Sequence, residues 1–582
     1  MTITKESSGG VDAGSVDDLR RDGKLVTKVG EHPVVVFWHD DRPYAIEDRC
    51  PHLGFPLHRG TVEAGLVTCH WHHARFDLQS GCTLDLFADD ARAFDSAIED
   101  GRVRVWARAV PDPREGLENR LSDGLEDGLD LVIAKAVLGL LEAGAAPEQI
   151  VRTGLEFGAK NRHDGWGAGM TVLVAMANLL PHLHPDDRAA ALVHGLTFVS
   201  SDTRGRAPRF PLAPLGSGEV DLVRLARWYR RFIDTRSPDA AERTLATVLA
   251  THSPTDAEAV MVAAVTDHVF IDEGHTLDFT NKAMEALTHV GEEAAPLLLP
   301  TLVLQTARAS REEETSPWRH PDDLAAMLRR TNERLPGLVA EGEANGVDPH
   351  YDAEALAWRV LDDDPTQVVA ALEDAVAAGA TGEALARAVA YAAALRITRF
   401  HTQNDFGDWN TVHHAFTAAN ALHQALRRGS SVELLRGVFQ CGLRVYLDRF
   451  LNVPAARLPA TTTGDLAHLE EGWRTQGHVD AAGATVAGYL RGGGNRADVV
   501  AALGHALLEE DAGFHWYQVV EAGVRQAHAW PEHSEPSTLI LTGIARFLAA
   551  HTPTRRQLST TISIARRLRR GEHLYEEEGA AT

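Results

Sequence analysis

Two short stretches near the start of the chain, Cys50-Pro51-His52-Leu53-Gly54 and Cys69-His70-Trp71-His72-His73, decide how this sequence is interpreted. The first contains Cys-x-His and the second Cys-x-x-His, with sixteen residues between the two motifs. Together they offer two thiolates and two imidazoles, which are ligands of transition metals. We therefore predict that these two stretches hold one metal centre.

Two kinds of centre use this set of ligands. Tetrahedral zinc accepts two cysteines and two histidines, but zinc fingers pair Cys with Cys and His with His, whereas each motif here, Cys-x-His and Cys-x-x-His, pairs one Cys with one His. In a Rieske [2Fe-2S] centre, two cysteines bind one iron and two histidines replace the cysteines on the other. Such a cluster has a potential of roughly −150 to +300 mV and passes single electrons. The pattern favours the iron–sulfur centre and leaves zinc as the alternative.

The region from about Lys24 to Arg108 resembles Rieske ferredoxins and the Rieske domain of ring-hydroxylating oxygenases. The resemblance rests on the two stretches and on Ala74-Arg75-Phe76-Asp77, which follows the second one. One departure is His73, where the family usually has glycine. The resemblance implies a [2Fe-2S] cluster with Cys50 and Cys69 on the inner iron, and His52 and His72 on the outer iron near the surface.

Length and charge limit the class of protein. The chain has 582 residues, which is too many for one compact core, and 44% hydrophobic with 24% charged residues is typical of soluble proteins. A formal charge of −25 argues against nucleic acid as a partner. No apolar run reaches the roughly 20 residues of a membrane span. The two remaining cysteines, Cys82 and Cys441, are far apart in sequence, and we expect a reducing cytoplasm.

The residue composition and the pattern of apolar residues predict a multidomain protein, with a small all-β Rieske domain followed by a large all-α domain. Val34 to Trp38 and Tyr44 to Ile46 predict a β-hairpin, whereas alanine, leucine, glutamate and arginine dominate from about Leu129 onward. The prolines and charges of 111–116 indicate a linker. The predicted segments are a flexible tail at 1–20, the Rieske domain at 21–110, a linker at 111–128 and the helical domain at 129–582.

A weak internal repeat runs through the helical domain. Each copy would be a helix, a polar turn rich in His, Asp or Glu, and a second helix, and we predict about four diverged units. The copies lie near 145–179, 255–290, 380–422 and 495–526. The segment from Gly379 to Leu385 also bears a short similarity to the helical carboxymuconolactone decarboxylase and alkylhydroperoxidase superfamily. The Cys-x-x-Cys of its peroxidase members is absent here, so the similarity implies no catalysis.

The segment from Asp267 to Asp278 is the best local candidate for a second metal site. On one helix, His268, Asp272 and His275 would stand at i, i+4 and i+7, which is one face. Imidazole and carboxylate ligands together suit iron or manganese. Gly274 is the objection, because glycine commonly ends a helix, and His275 would then project from the turn.

Turns in the other repeats carry similar residues. If the units pack around a common axis, these turns, or the helices that begin there, would converge on one cavity. The alternative is that Asp, Asn, Gly and His collect at such turns simply as helix caps. The candidate residues of the second site are His268, Asp272, His275, His401, His413, His414 and His515.

The sequence therefore predicts a Rieske oxidoreductase, an oxygenase or oxidase whose cluster relays single electrons to an active site in the helical domain. A non-haem metal such as iron would act there on a small organic substrate and O2. No nucleotide-binding motif is evident, so the electrons would come from an external ferredoxin or reductase. The alternatives are an electron-transfer or redox-sensing protein with a helical scaffold, and a haem enzyme with one axial histidine. An oligomer is compatible with either class.

Overall fold

A computed structural model describes residues 10–108, 112–216, 220–315, 322–346, 351–572 and 574. The chain divides into two compact units. The N-terminal unit comprises residues 1–145 together with 560–582, and the helical unit comprises residues 146–559. In the part of the chain that the structure describes, no helix is both long and apolar enough to cross a membrane.

All the described strands lie in the N-terminal unit, as predicted for a small β domain. They are β1 Val11–Ser15, β2 Lys24–Val29, β3 His32–His39, β4 Arg42–Glu47, β5 Thr61–Glu63, β6 Leu66–Thr68, β7 Arg75–Asp77, β8 Ala93–Glu99 and β9 Arg102–Ala107.

Helices dominate the rest of the chain. Numbered along the chain, they are α1 Val16–Asp22, α2 Pro113–Asp127, α3 Asp130–Glu142, α4 Pro147–Lys160, α5 Ala168–Leu179, α6 Arg188–Thr203, α7 Leu222–Asp234, α8 Pro238–Thr251, α9 Pro254–Thr266, α10 His275–Val290, α11 Ala295–Leu298, α12 Val303–Arg308, α13 Glu312–Thr315, α14 Leu324–Asn345, α15 Ala353–Val360, α16 Pro365–Ala377, α17 Gly382–Thr398, α18 Trp409–Arg428, α19 Val432–Leu447, α20 Ala467–Gly472, α21 Val479–Arg491, α22 Arg496–Glu509, α23 Phe514–His528, α24 Glu535–His551 and α25 Gln557–Arg569.

Two antiparallel sheets form the N-terminal unit. The larger has the strand order β1-β9-β8-β4-β3-β2, and the smaller has the order β5-β6-β7. Strand β3 is buried on both faces, so its apolar residues form a continuous run. Val35 and Phe37 pack in a core with both cluster-loop cysteines, whereas Val34 and Val36 pack on the other side with Leu19 of α1.

The predicted hairpin of β3 and β4 is confirmed. His39 pairs with Arg42, which leaves Asp40 and Asp41 as a two-residue loop. Both loop residues have positive φ, 44° and 60°. This conformation is the one that matches the twist of the flanking strands, and aspartate tolerates it.

Three of the predicted segments, namely the tail, the linker and the helical domain, have wrong boundaries. Residues 11–15 form β1, which pairs with β9, and Ser15 caps helix α1, so this stretch is not a flexible tail. Residues 1–9 lie outside the described residues. The predicted linker is mostly helix α2, because Asp112 caps its N-terminus and Pro113 occupies the first turn, where proline is favoured. Helix α3 and residues 560–582 also group with the N-terminal unit rather than with the helical one.

The helical unit contains the predicted helix, turn and helix in each of the four copies. The pairs are α4 and α5, α9 and α10, α17 and α18, and α22 and α23. The second helices of the pairs contact one another in a closed ring: α5 packs on α10, α10 on α18, α18 on α23, and α23 on α5. The ring places α10, α18 and α23, and hence the segments that begin them, beside one another.

Charged and polar side chains occupy the interior of this ring. The Lys282 side chain is fully buried, and its Nζ donates hydrogen bonds of 2.9 Å to carboxylate oxygens of Glu285 and Glu521. Asn178 Nδ2 donates to the same two carboxylates, at 2.8 Å and 2.9 Å. Arg525 also pairs with both carboxylates. This ion network ties α5, α10 and α23 together, because each buried charge needs its partners.

We expect Lys282→Met to lower the free energy of unfolding of the helical unit by about 3–5 kcal/mol, because it removes the fully buried cation between two buried carboxylates and leaves them Arg525 as their remaining cation. Urea unfolding followed by circular dichroism measures this loss. Lys160→Met is the matched control, because Lys160 forms an exposed i,i+4 pair with Glu156 and should cost less than about 1 kcal/mol. An equal effect of the two variants would contradict the role given to the network.

Candidate functional site

The two cysteine- and histidine-bearing stretches are loops held between short strands. The first lies between β4 and β5 and the second between β6 and β7. In the first, Cys50 N–H donates to Phe55 O and Gly54 N–H donates to Cys50 O, both at 2.8 Å. In the second, Cys69 N–H donates to Ala74 O at 2.8 Å. These backbone bonds shape each loop around its cysteine independently of any bound group.

The four side chains predicted as ligands point into one place. Cys50 and Cys69 are 2% and 1% exposed, whereas His72 lies at the surface. The ring centroids of His52 and His72 are 4.8 Å apart. His52 Nδ1 is buried, and none of the described residues gives it a hydrogen-bond partner. An orphaned imidazole nitrogen beside two buried cysteines is the arrangement that a bound metal centre satisfies.

The electrostatics of the four side chains also suit metal binding. Contact with Cys69 raises the pKa of Cys50, and the same contact lowers the pKa of Cys69 to about 6, so one thiolate forms readily. Burial lowers the pKa of His52 to about 4, helped by the neighbouring His72 and Lys135. At neutral pH, His52 is therefore the neutral imidazole that a metal requires.

The comparisons with known proteins identify this part of the chain. Residues 10–92 match the family described as the Rieske [2Fe-2S] domain. The ferredoxin component of the alkene monooxygenase system of Xanthobacter autotrophicus is 34% identical over 108 residues, which are 18% of this chain and 86% of that protein. The chain belongs to the Rieske [2Fe-2S] family. A Rieske domain implies a [2Fe-2S] cluster, and the four side chains fit one.

Two further relatives are ferredoxins of dioxygenases. The anthranilate 1,2-dioxygenase ferredoxin subunit of Burkholderia cepacia is 30% identical over 93 residues, which are 16% of this chain and 86% of that protein. The solved ferredoxin of carbazole 1,9a-dioxygenase from Nocardioides aromaticivorans IC177 is 26% identical, with a TM-score of 0.17, and covers 17% of this chain and 100% of its own. The family match lies within the N-terminal unit, and the similarity of Gly379 to Leu385 to another superfamily stays a prediction.

The backbone at His73 explains why Rieske proteins usually have glycine there. His73 has φ of 61°, in the left-handed region, and its N–H donates to Cys69 O at 3.0 Å. Glycine adopts this conformation without steric cost, whereas histidine is strained but tolerated. His73 is therefore a turn residue, and its side chain is exposed.

A second group of histidines meets in the helical unit. One nitrogen each of His275, His414 and His515 lies within 4.8 Å of the other two. The ring centroids are 4.6 Å apart for His275 and His414, 5.3 Å for His275 and His515, and 4.9 Å for His414 and His515. The three residues come from three helices of the ring: α10, α18 and α23. Three imidazole nitrogens at this spacing can surround one metal ion.

Burial keeps two of these imidazoles, His275 and His515, neutral. It lowers the pKa of His275 to about 3 and that of His515 to about 4, and in each case the neighbouring histidines lower it further. Both nitrogens of His414 are buried without a well-aligned hydrogen bond to any described residue, although His414 Nδ1 lies 2.8 Å from Glu273 Oε2. Three imidazoles beside one carboxylate are the donor set of a non-haem iron or manganese site.

A hydrogen-bonded chain fixes the orientation of His515. Its Nδ1 lies 3.0 Å from Gln518 Oε1, which can only accept, so His515 carries its proton on Nδ1. Gln518 Nε2 in turn donates to the buried Asp278. His515 therefore offers Nε2 to the group of histidines. Metal-binding histidines characteristically donate their second ring nitrogen in this way.

The turn before α10 differs from the predicted single helix. Helix α9 ends at Thr266, and Phe270, Asp272 and Glu273 all have positive φ, from 47° to 54°. His268, Asp272 and His275 therefore do not share one helix face, and that prediction is wrong. Gly274 has φ of 102°, and an added Cβ would lie 2.9 Å from Ala418 Cβ, so α10 starts close against α18. The strained turn aims Glu273, rather than Asp272, at His414.

The other predicted residues lie outside the group of three. His268 Nδ1 pairs with Glu313 Oε1 at 2.9 Å, and His401 Nδ1 accepts a bond from Gln403 N–H at 3.1 Å within its own turn. His413 stacks beside the group, 4.9 Å from the His515 ring, and its Nε2 bonds Asn410. Sequence reasoning missed Glu273 and Gln518. The sequence indicates either residue only weakly. Glu273 is one of several carboxylates in the segment from Asp267 to Asp278, and Gln518 is an amide one helical turn after His515.

We expect the full chain, with its cluster intact, to take up one further equivalent of iron(II) under anaerobic conditions. His275→Ala, His414→Ala and His515→Ala should each weaken that binding by at least about tenfold, since even outer-shell changes cost this much. Equilibrium titration followed by metal analysis measures the affinity. His401→Ala is the control and should bind as the wild type does. Unchanged uptake in all three variants would contradict the site.

Gln518→Leu should weaken the same binding by about 10–100-fold without removing a ligand, because His515 would lose the bond that fixes its tautomer. Gln526→Leu is the matched control. Gln526 is equally buried on the same helix but bonds Asn420 and His423. If the two variants weaken binding equally, Gln518 has no special part in orienting His515.

Proposed function

We propose that this protein is an oxygenase or oxidase in which the Rieske [2Fe-2S] cluster relays single electrons to an active site in the helical unit. Cys50, His52, Cys69 and His72 would hold the cluster. The active site would be the group formed by His275, His414 and His515, with a non-haem metal such as iron and a small organic substrate. The convergence of three imidazole nitrogens within 4.8 Å of one another carries this proposal.

A metal held by three histidines keeps coordination positions open, and there it would supply redox chemistry with O2. The chain's own residues have definable tasks around it. Gln518 keeps the proton of His515 on Nδ1, and Glu273 places a carboxylate beside His414. The rings of Phe279 and Phe514 lie 5.6 Å and 5.9 Å from that of His275 and give the site an apolar wall. Such a wall limits water and favours an organic substrate.

The relatives support a role in oxygen chemistry. The Xanthobacter protein belongs to an alkene monooxygenase system and the Burkholderia protein to anthranilate 1,2-dioxygenase, each as the ferredoxin. By analogy, electrons would reach this cluster from an external reductase or ferredoxin, and would pass to a site in the same or a neighbouring molecule. None of the four cysteines, all of which the structure describes, forms a disulfide bond, which is compatible with a reducing cytoplasm. The charge of −25 gives no basis for a nucleic-acid partner.

A purely electron-transferring or redox-sensing protein with a helical scaffold is the competing function. A scaffold would present polar turns dispersed over its surface. Instead, histidines of three turns or helix starts meet, and burial lowers the pKa values of two of them, His275 and His515. Perturbed groups of this kind concentrate at functional sites. Nothing among the described residues specifies a haem in preference to a single metal ion.

The test compares reoxidation of the reduced cluster by O2 in stopped-flow experiments, with and without iron(II) in the histidine site. We expect reoxidation to be faster in the iron-loaded protein, and His414→Ala to react like the iron-free protein. His401→Ala should behave as the wild type. If iron loading and His414→Ala leave the rate unchanged, the cluster does not deliver electrons to this site and the scaffold function is favoured.

A further inference from the structure

Helix α3 reaches the first cluster loop although it lies outside residues 10–92, the part of the chain that matches the Rieske family. Its Lys135 is 6% exposed, which is rare for lysine. The Lys135 Nζ donates to the carbonyl oxygens of Pro51 at 2.6 Å and His52 at 3.2 Å. A buried ammonium therefore holds the backbone of the loop at the histidine proposed for the outer iron.

Helix α2 holds the other side of the same histidine. Arg120 Nη2 donates to the carbonyl oxygens of Leu86 at 2.8 Å and Ala88 at 3.0 Å. Phe87 lies between these two residues, and its ring packs edge-on against the His52 ring, with centroids 5.0 Å apart. Lys135 of α3 therefore fixes the backbone at His52, and Arg120 of α2 fixes the segment whose Phe87 ring packs against the His52 ring.

The charges around this contact are screened unequally by water. Asp89 pairs with Lys135 at 3.1 Å and with Arg120 at 3.3 Å, and Arg120 also pairs with Asp123 at 3.2 Å. The Lys135 side chain is 7% exposed, whereas those of Asp89 and Asp123 are 31% and 46% exposed. Water screens the two carboxylates more than the ammonium, so the buried cation dominates the local field at the loop.

We propose that Lys135 is a positioning residue that fixes the His52 loop and raises the reduction potential of the Rieske cluster. Reduction adds one negative charge to the cluster, and a nearby buried cation stabilises the reduced state more than the oxidised one. Net charge and the hydrogen bonds around a cluster are the means by which a protein sets its potential. Helices α2 and α3 would thereby adapt a ferredoxin-like domain to the potential that this chain needs. This inference is independent of the proposed site in the helical unit.

The test is an electron-paramagnetic-resonance redox titration of the cluster in the full chain. Lys135→Met removes the charge at similar side-chain length, and we expect the equilibrium constant for one-electron reduction to fall about tenfold, which is 59 mV for a one-electron couple. Asp89→Asn removes the opposing charge and should raise the potential. Lys135→Arg keeps the charge and should retain most of the wild-type value.

Lys28→Met is the matched control, because Lys28 is an exposed lysine of the same unit that pairs with Glu31, and the potential should not move. A wild-type potential in Lys135→Met at full cluster content would overturn the proposal. So would a lowered potential in Asp89→Asn, which a purely structural role predicts. If Lys135→Met fails to hold the cluster, the direction in which the reduction potential shifts in Asp89→Asn decides between the proposal and a purely structural role.

Discussion

The buried pairing of Lys282 with Glu285 and Glu521 is the interaction on which the helical unit depends. Buried charges are tolerated only where their partners are in place. The network therefore favours the observed register between α10 and α23 over registers shifted along either helix. With α18 packed between these two helices, their starting segments are brought to one point. The histidine group is therefore a consequence of helix register rather than of any local motif.

The Rieske centre could be predicted from the sequence because its ligands are local. Each pair, Cys50 with His52 and Cys69 with His72, lies within one loop, and the chemistry of two thiolates and two imidazoles restricts the cofactor to few choices. The hairpin that supports the first loop was likewise encoded by neighbouring residues. Ligand identity and strand alternation are short-range properties, and the sequence displays them directly.

For the site in the helical unit, the sequence reduced the number of candidate histidines but did not show which of them meet. The repeat indicated that histidine-bearing turns would meet, yet which residues meet depends on contacts between helices more than 100 residues apart along the chain. Three residues in the turn before α10 have positive φ, and this backbone conformation directs Glu273 rather than Asp272 toward His414. Hydrophobic periodicity does not predict a turn of this kind. The segment at 111–128 was misjudged for a related reason: its prolines suggested a linker, but Pro113 starts a helix after the capping Asp112.

Iron-edge anomalous X-ray diffraction from crystals of the iron-loaded full chain tests the two-centre organisation most directly. We predict one pair of iron atoms between Cys50, His52, Cys69 and His72, and a separate iron enclosed by His275, His414 and His515. A fully occupied cluster with no anomalous density among the three imidazoles would contradict a metal-dependent active site in the helical unit.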